Sequence, residues 1–359
     1  MKTLTRYIAR LFLSYLVGVL FGFVALLQAV DLLKNAEEVA RRHGESLGNF
    51  LYYVVLRLPE TAGFLLPLCT LVAALLTLGR MAQHSEIVAL KAAGVPVWRV
   101  LKAFWPAALL VAVVQFAVSD GLTPLAQRAM ERWDESAELA RGADPLDGDG
   151  VWLHEHGTVA HIQAVRGGGT RLYGLTLYLR DGDGNLTERL QALTANYQEG
   201  SWQLAGVTRT IGQIGRPPQV ETVPDQTWPI ALTPAQLDDL STQASGLGLV
   251  QLYDFAGRRG LGVHPRHYYE TWLNKRIAGP FAAFLMILLA APMARNLSRT
   301  GGVVGTFALA VGFGMAYLIT DGIVFTLGET GAFPPILAAW VPIGLFGCLG
   351  GALLLHIDS

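Results

Sequence analysis

Charge is what this sequence has least of. Only 15% of its 359 residues are Asp, Glu, Lys or Arg, while 52% are hydrophobic. Water-soluble globular chains carry about 25% charged residues. So little charge cannot clothe a soluble surface along the whole length, and the chain reads as an integral membrane protein with a substantial polar part. Cysteine is scarce too. Cys69 and Cys348 lie far apart, each inside an apolar run. That excludes a disulfide framework or a cysteine metal site and leaves two buried small hydrophobes.

Motifs of catalysis and energy conversion are also lacking. There is no G-x-x-x-x-G-K-[ST] phosphate loop, no G-x-S-x-G, no H-E-x-x-H and no pair of Asp residues on adjacent spans. The corresponding hydrolases and a self-contained ATPase are excluded, so any uphill work done with ATP would need the nucleotide on another chain. His154-Glu155-His156 would place two imidazoles on one face of a strand, but no third ligand follows. Asp181, Asp183 and Asn185 open like a calcium loop, yet Leu186 and Ala192 stand where Gly and Glu are needed. A hairpin turn is the simpler reading. No metal, no cofactor bound by this chain and no nucleic-acid partner is expected.

What the chain has is long apolar runs. Six are long enough to cross a bilayer at about 20 residues each: Leu11–Leu33, Leu58–Leu78, Leu101–Leu122, Trp272–Met293, Val303–Leu327 and Pro335–His356. The first follows Lys2, Arg6 and Arg10, but it is longer than a signal-peptide core and lacks an A-x-A site. It is read as a retained span. Lys and Arg in the short connections number nine on the side of the N-terminus and four on the other. The positive-inside bias then puts both termini in the cytoplasm.

Between the third and fourth runs lies a polar segment, Thr123 to about Glu270, which falls outside. Val151–His161, Arg171–Leu179, Thr187–Tyr197 and Ser201–Gly212 read as strands with Gly or Asp turns. They are too short for a membrane barrel, so a soluble sandwich or jelly roll is expected. The flanks Pro124–Ala140 and Pro234–Arg258 read as helical or irregular. The expected fold is an α-helical membrane protein with six transmembrane helices (3+3) and an inserted periplasmic all-β, jelly-roll-like domain. Its parts are residues 1–122, 123–270 and 271–359.

Two groups of residues invite functional readings. The stretch Gly79–Lys102 is too polar to span a bilayer and carries helix punctuation. Ser85 suits an N-cap, Glu86 the positive helix end, and Gly94 with Pro96 a stop. The helix of about residues 85–94 puts Ile87, Leu90 and Ala93 or Gly94 on one side. It reads either as a loop helix lying on the membrane or as a docking helix for a soluble partner. The second group is cationic: Lys34, Arg41, Arg42, Arg57, Arg128, Arg132, Lys275 and Arg276 all fall near outer ends of spans. They read either as interfacial snorkelling or as a ring that holds lipid phosphates. Embedded acids stand out as well. Glu60 lies three residues after Arg57, and Asp321 lies in the outward half of span five. Span five is Gly-rich (Gly301, Gly302, Gly305, Gly312, Gly314), which allows close helix approach.

LGRMAQHSEIVALKAAG after span two, WLNKRIAGPFAAFLMILLAAPM in span four and FPPILAAWVP opening span six resemble the LptF/LptG (YjgP/YjgQ) family. These are permease subunits of the lipopolysaccharide export ABC transporter. The resemblance covers essentially the full length, and Trp272, Lys275 and Pro280 resemble the LptG branch. It implies a heterodimer with an LptF-type paralogous permease, seated on an LptB-type ATPase dimer that uses ATP and Mg, and joined by an LptC-type single-span jelly-roll protein. Such a complex takes lipopolysaccharide from the inner membrane toward a periplasmic bridge. The resemblance makes Ser85, Glu86, Ile87, Leu90, Ala92 and Gly94 the ATPase-coupling segment, with Glu86 its acidic contact. It also assigns Lys34, Arg41 and Arg42 to lipid phosphates. Arg128, Arg132, Lys275 and Arg276 join that set by position alone. The rivals are a permease or transducer subunit of another lipid or lipoprotein ABC exporter, separated by the identity of bound lipid, and a membrane enzyme or secondary transporter. The latter needs a catalytic constellation or paired intramembrane ionisable groups.

Overall fold

The computed structural model of the chain describes residues 2–94, 97–140, 150–155, 158–180, 186–198, 200–211, 219–228, 233–234, 237, 243–257, 264–299 and 303–358. The chain divides into two compact units, Met1–Ala129 with Glu270–Ser359, and Met130–Tyr269.

The first unit is helical. Its two opening helices, α1 (Lys2–His43) and α2 (Leu47–Gln83), are much longer than a span requires. At 1.5 Å per residue they measure about 63 and 55 Å, against about 30 Å of hydrocarbon. α1 continues past Leu33 because KNAEEVARRH is rich in helix formers, and Glu38 pairs with Arg42 one turn on at 2.5 Å. Gly44, at φ 90°, ends it, with its N–H donating to the Ala40 carbonyl. Ser46 then caps α2, its hydroxyl accepting from the Gly48 N–H at 3.3 Å. The connection between the first two spans is therefore a tight hairpin.

α2 is the inner helix. In its most apolar window 72% of residues are buried, against 11% for α1. Leu71, Val72, Ala73 and Ala74 are fully enclosed, and Phe12 of α1 meets Phe104 edge-to-face at 5.6 Å in the same core. Thr70 and Thr77 are buried too, and each hydroxyl donates to a carbonyl one turn back at 2.7 Å. After the short helix α3 (Glu86–Ala92), α4 (Val97–Ala117) passes through a π-helical turn, Val118–Leu122, into α5 (Thr123–Ala140). Span three thus runs on into the segment expected to flank the sheet.

Span four differs from expectation. The run Trp272–Met293 is split between two helices, here α7 (Arg266–Ala278) and α8 (Phe281–Arg299), bent by 54° at Gly279–Pro280. Proline has no N–H to give and clashes with the preceding turn, which accounts for the break. With α9 (Val303–Glu329) and α10 (Pro335–Asp358), five described helices are long and apolar enough to cross a membrane, or six if the bent pair is one span. Close approach in α9 is made at Gly314, where a Cβ would fall 2.3 Å from Leu68 Cδ1, and at Gly328, where it would fall 2.5 Å from Ala338 Cβ. Gly305 and Gly312 face open space, and Gly301 and Gly302 lie outside the described residues. Cys69 is buried as expected, but Cys348 is exposed on α10, on a face turned out of the bundle.

The second unit holds one antiparallel sheet: β1 (Val151–Glu155), β2 (Thr158–Arg166), β3 (Arg171–Arg180), β4 (Leu186–Gln198), β5 (Ser201–Ile211), β6 (Gln219–Val223) and β7 (Gln226–Trp228). The strands pair in sequential order, with β6 and β7 both against β5. The all-β domain is present, and among the described residues its connectivity is that of a meander. The stretch Val151–His161 is divided between two strands, β1 and the start of β2, and β6 and β7 were not expected. Helix α6 (Leu249–Gly257) lies within the flank read as helical or irregular. His156, Asp181, Asp183 and Asn185 lie outside the described residues.

Alternation in this sheet is interrupted for a physical reason. Leu172, Ala195 and Leu204 pair across β3, β4 and β5 and are buried, as are Leu175, Ala192 and Val207 one row on. On each strand the two rows are three residues apart, so strict period two would send them to opposite faces. Gly174 and Gly206 lie in that interval at φ 61° and 66°. A left-handed residue bends the strand and resets the face on which side chains project. A Cβ on Gly174 would meet Gln163 Oε1 at 1.9 Å and Gln163 Cβ at 2.9 Å. Gly174→Val is expected to destabilise the sheet by about 2 kcal/mol or more. Gly200→Ala, at a turn with open space, is expected to cost only about 1 kcal/mol. Proteolytic protection of residues 150–228 in the full-length chain in detergent measures the difference.

Candidate functional site

The α3 corner is built from three backbone devices. α2 ends with His84 and Ser85 turning back onto the carbonyls of Arg80 and Ala82. Ser85 stands at φ 58°, the only non-glycine with positive φ among the described residues. This corrects its expected role. An N-cap side chain needs extended backbone, whereas Ser85 occupies the left-handed region and contributes its carbonyl, which accepts from Ala89 N–H at 2.9 Å. A left-handed non-glycine costs on the order of 1–3 kcal/mol and persists only where its surroundings impose it. Gly94, at φ 74°, closes the other end; Pro96 lies outside the described residues.

The two faces of α3 have different duties. Ile87 and Leu90 are half-buried and pack on the helical core, so they anchor the helix. Ser85, Val88, Ala89, Ala92 and Gly94 are exposed, Val88 by 65%. Val88 and Ala89 were not picked out in the sequence, although their i and i+4 spacing to Ala92 and Ser85 places them on the free face. Glu86 is half-buried, and its Oε1 accepts a hydrogen bond from Tyr7 Oη of α1 at 2.9 Å. Close by, Arg80 reaches Tyr15 Oη at 3.5 Å.

The cations do not form one ring. Lys34 and Arg41, seven residues apart on α1, are exposed, and among the described residues no carboxylate pairs with them. Arg42 is taken by Glu38. Arg57 meets Glu60 at 3.1 Å, the pairing expected from their spacing, and lies 3.8 Å from Asp31, whose Oδ2 also accepts from Tyr53 Oη at 2.9 Å. One turn further into the bilayer, Gln28 donates to Thr61 at 3.2 Å. Lys275 is ion-paired with Asp321 of α9, and Trp272 Nε1 donates to Glu329 at 2.8 Å. Arg276 is only 6% exposed, in the field of Asp120 from the π-helical turn. The expectation that Lys275 and Arg276 present free charge to phosphates is therefore corrected. A charge in hydrocarbon is tolerated when paired: Asp321 neutralises Lys275, and Arg276 is buried away from solvent with Asp120 as its charged neighbour. Arg128 is half-buried on α5, and Arg132 is exposed on the part of α5 that belongs to the second unit.

An apolar bundle of this kind, with paired charges inside it, a short exposed helix between two spans and an antiparallel sheet inserted in the chain, is the architecture of a multi-pass membrane protein. A family model for the lipopolysaccharide export system permease LptF/LptG matches residues 6–356, and the chain belongs to that family. It is 22% identical over 358 residues to the lipopolysaccharide export system permease protein LptG of Escherichia coli (strain K12), covering 98% of both chains. It is 25% identical over 355 residues to the protein of that name from Haemophilus influenzae, covering 96% of both.

The Lys275–Asp321 pair yields a test. Lys275→Met leaves Asp321 unpaired and is expected to cost about 3 kcal/mol, while Lys275→Met with Asp321→Leu returns most of that loss. Thermal unfolding in detergent measures both.

Proposed function

We propose that this chain is an LptG-type half-transporter of a lipopolysaccharide exporter in the bacterial inner membrane. It pairs with an LptF-type permease on an LptB-type ATPase dimer, which holds the ATP and Mg, and is joined by an LptC-type single-span protein. Both termini and α3 face the cytoplasm, and the sheet lies in the periplasm. The observation that carries this reading is the family match over residues 6–356, within which α3 offers the motor a small-residue face on an anchored helix.

The physics of the task fits the parts. Each lipid CH₂ taken out of hydrocarbon costs about 0.8 kcal/mol, so lifting several acyl chains costs tens of kcal/mol. That work needs a motor, and this chain carries no phosphate loop. The exposed faces of the long helices line a cavity with the partner permease and keep the chains covered. Lys34 and Arg41 hold the lipid phosphates, with Arg128 and Arg132 adding positive charge along α5. Arg42, Lys275 and Arg276 serve in that role only when their acidic neighbours release them. Closure of the cavity, driven through α3, expels the lipid toward the sheet, which passes it to the next jelly roll by strand addition.

Two measurements test the reading. Glu86→Ala is expected to lower recovery of the ATPase subunit with the detergent-solubilised permease by about thirtyfold, with membrane insertion unchanged; undiminished recovery overturns the docking role. Lys34→Asp is expected to lower lipopolysaccharide-stimulated ATP hydrolysis about tenfold with basal hydrolysis retained. Equal stimulation in both proteins returns Lys34 to interfacial snorkelling.

A further inference from the structure

Glu86 is not free to point where it will. Its Oε1 accepts from Tyr7 Oη at 2.9 Å, across 79 residues of sequence and from a different helix. Tyr7 is 42% exposed at the start of α1, so its ring is not there to fill the core; what it contributes is the hydroxyl at its tip. The following residues turn inward. Ile8 and Phe12 are fully buried and fix the rotation of α1, so Tyr7 Oη is delivered from a rigid base. On the other side, left-handed Ser85 fixes where α3 begins, and Ile87 and Leu90 fix its roll. Both partners of the hydrogen bond are thus placed by independent structure. Arg80, whose charge reaches both Tyr7 and Glu86, completes the corner from α2.

We propose that Tyr7 is the positioning residue of the coupling site: it holds the Glu86 carboxylate in the orientation that receives the motor subunit, and it ties α3 to α1. One carboxylate oxygen is committed to Tyr7, and Oε2 is left for a cationic or N–H donor of the partner. A carboxylate already held by one donor loses less rotamer freedom when the second arrives. The same bond gives a push on α3 a direct route to the first span, besides the covalent route through α2. The inference rests on the docking role of α3 and deepens it. A purely interfacial role for Tyr7, with its ring at the headgroup level, would be indifferent to Glu86.

The test is a double-mutant cycle in the full permease complex in detergent, titrated with the purified ATPase subunit, with thermal stability followed in parallel. Tyr7→Phe keeps the ring and removes the hydroxyl. It is expected to weaken ATPase binding about tenfold without lowering the unfolding temperature, as for a hydrogen bond to a charged group. Glu86→Ala is expected to weaken binding more, and adding Tyr7→Phe to Glu86→Ala is expected to change nothing further. Unchanged binding in Tyr7→Phe, a loss that adds in full on Glu86→Ala, or a loss accompanied by a lower unfolding temperature each overturns the positioning role. In those cases the docking role of α3 stands as long as Glu86→Ala alone weakens binding. If Glu86→Ala binds normally, the docking role itself falls, and the positioning role with it.

Discussion

A bilayer leaves a polypeptide two obligations: every backbone group must be bonded within the protein, and every charge must find a partner or an exit. The helical unit is organised by both. α2 meets the first by staying helical over its 37 residues, so that its backbone bonds within the segment, and its two buried threonines return their hydroxyls to their own helix. The second accounts for the polar side chains within the spans. Asp31, Tyr53, Arg57 and Glu60 form one linked group between α1 and α2, and Lys275 with Asp321 joins a half-span to α9. These contacts fasten helices whose apolar surfaces alone would specify little, because lipid tails offer leucine as good an environment as another helix does.

Breaks in regular structure fall beside these polar contacts. The Gly279–Pro280 bend follows Lys275 and Arg276, and the π-helical turn carries Asp120 near Arg276. The left-handed Ser85 precedes Glu86. In each place a departure from the straight α-helix aims a charged side chain that a continuous helix would carry elsewhere. In the sheet, Gly174 and Gly206 do the same for apolar side chains, and keep two successive rows buried.

Much was legible in the chain. Low charge and the length of the apolar runs announced a membrane protein, and Glu86 with the Gly94 and Pro96 stop marked the short helix between spans. The sheet was legible from its Val, Leu, Thr and Tyr runs, while β6 and β7 escaped because short, exposed strands such as QVETV carry little apolar signal. Among the candidate cations, proximity to a span end was visible for Lys275 and Lys34 alike. Nothing in sequence spacing distinguished the one that Asp321 neutralises, 46 residues away, from the one that stays exposed.

What the sequence determined by itself is whatever depends on short range: which runs enter a bilayer, that the short helix after span two stops at Gly94, and that no nucleotide loop is encoded. Composition, glycine and proline act within a turn or two of their own position, so a linear reading captures them. Tertiary structure alone decided that Lys275 is spoken for by Asp321, which face of α3 is anchored and which is free, and that Glu86 is held by a tyrosine from the first helix. Those outcomes depend on side chains brought together from far apart along the chain. In low dielectric a partner a few ångströms away outweighs anything the local sequence says about a charge.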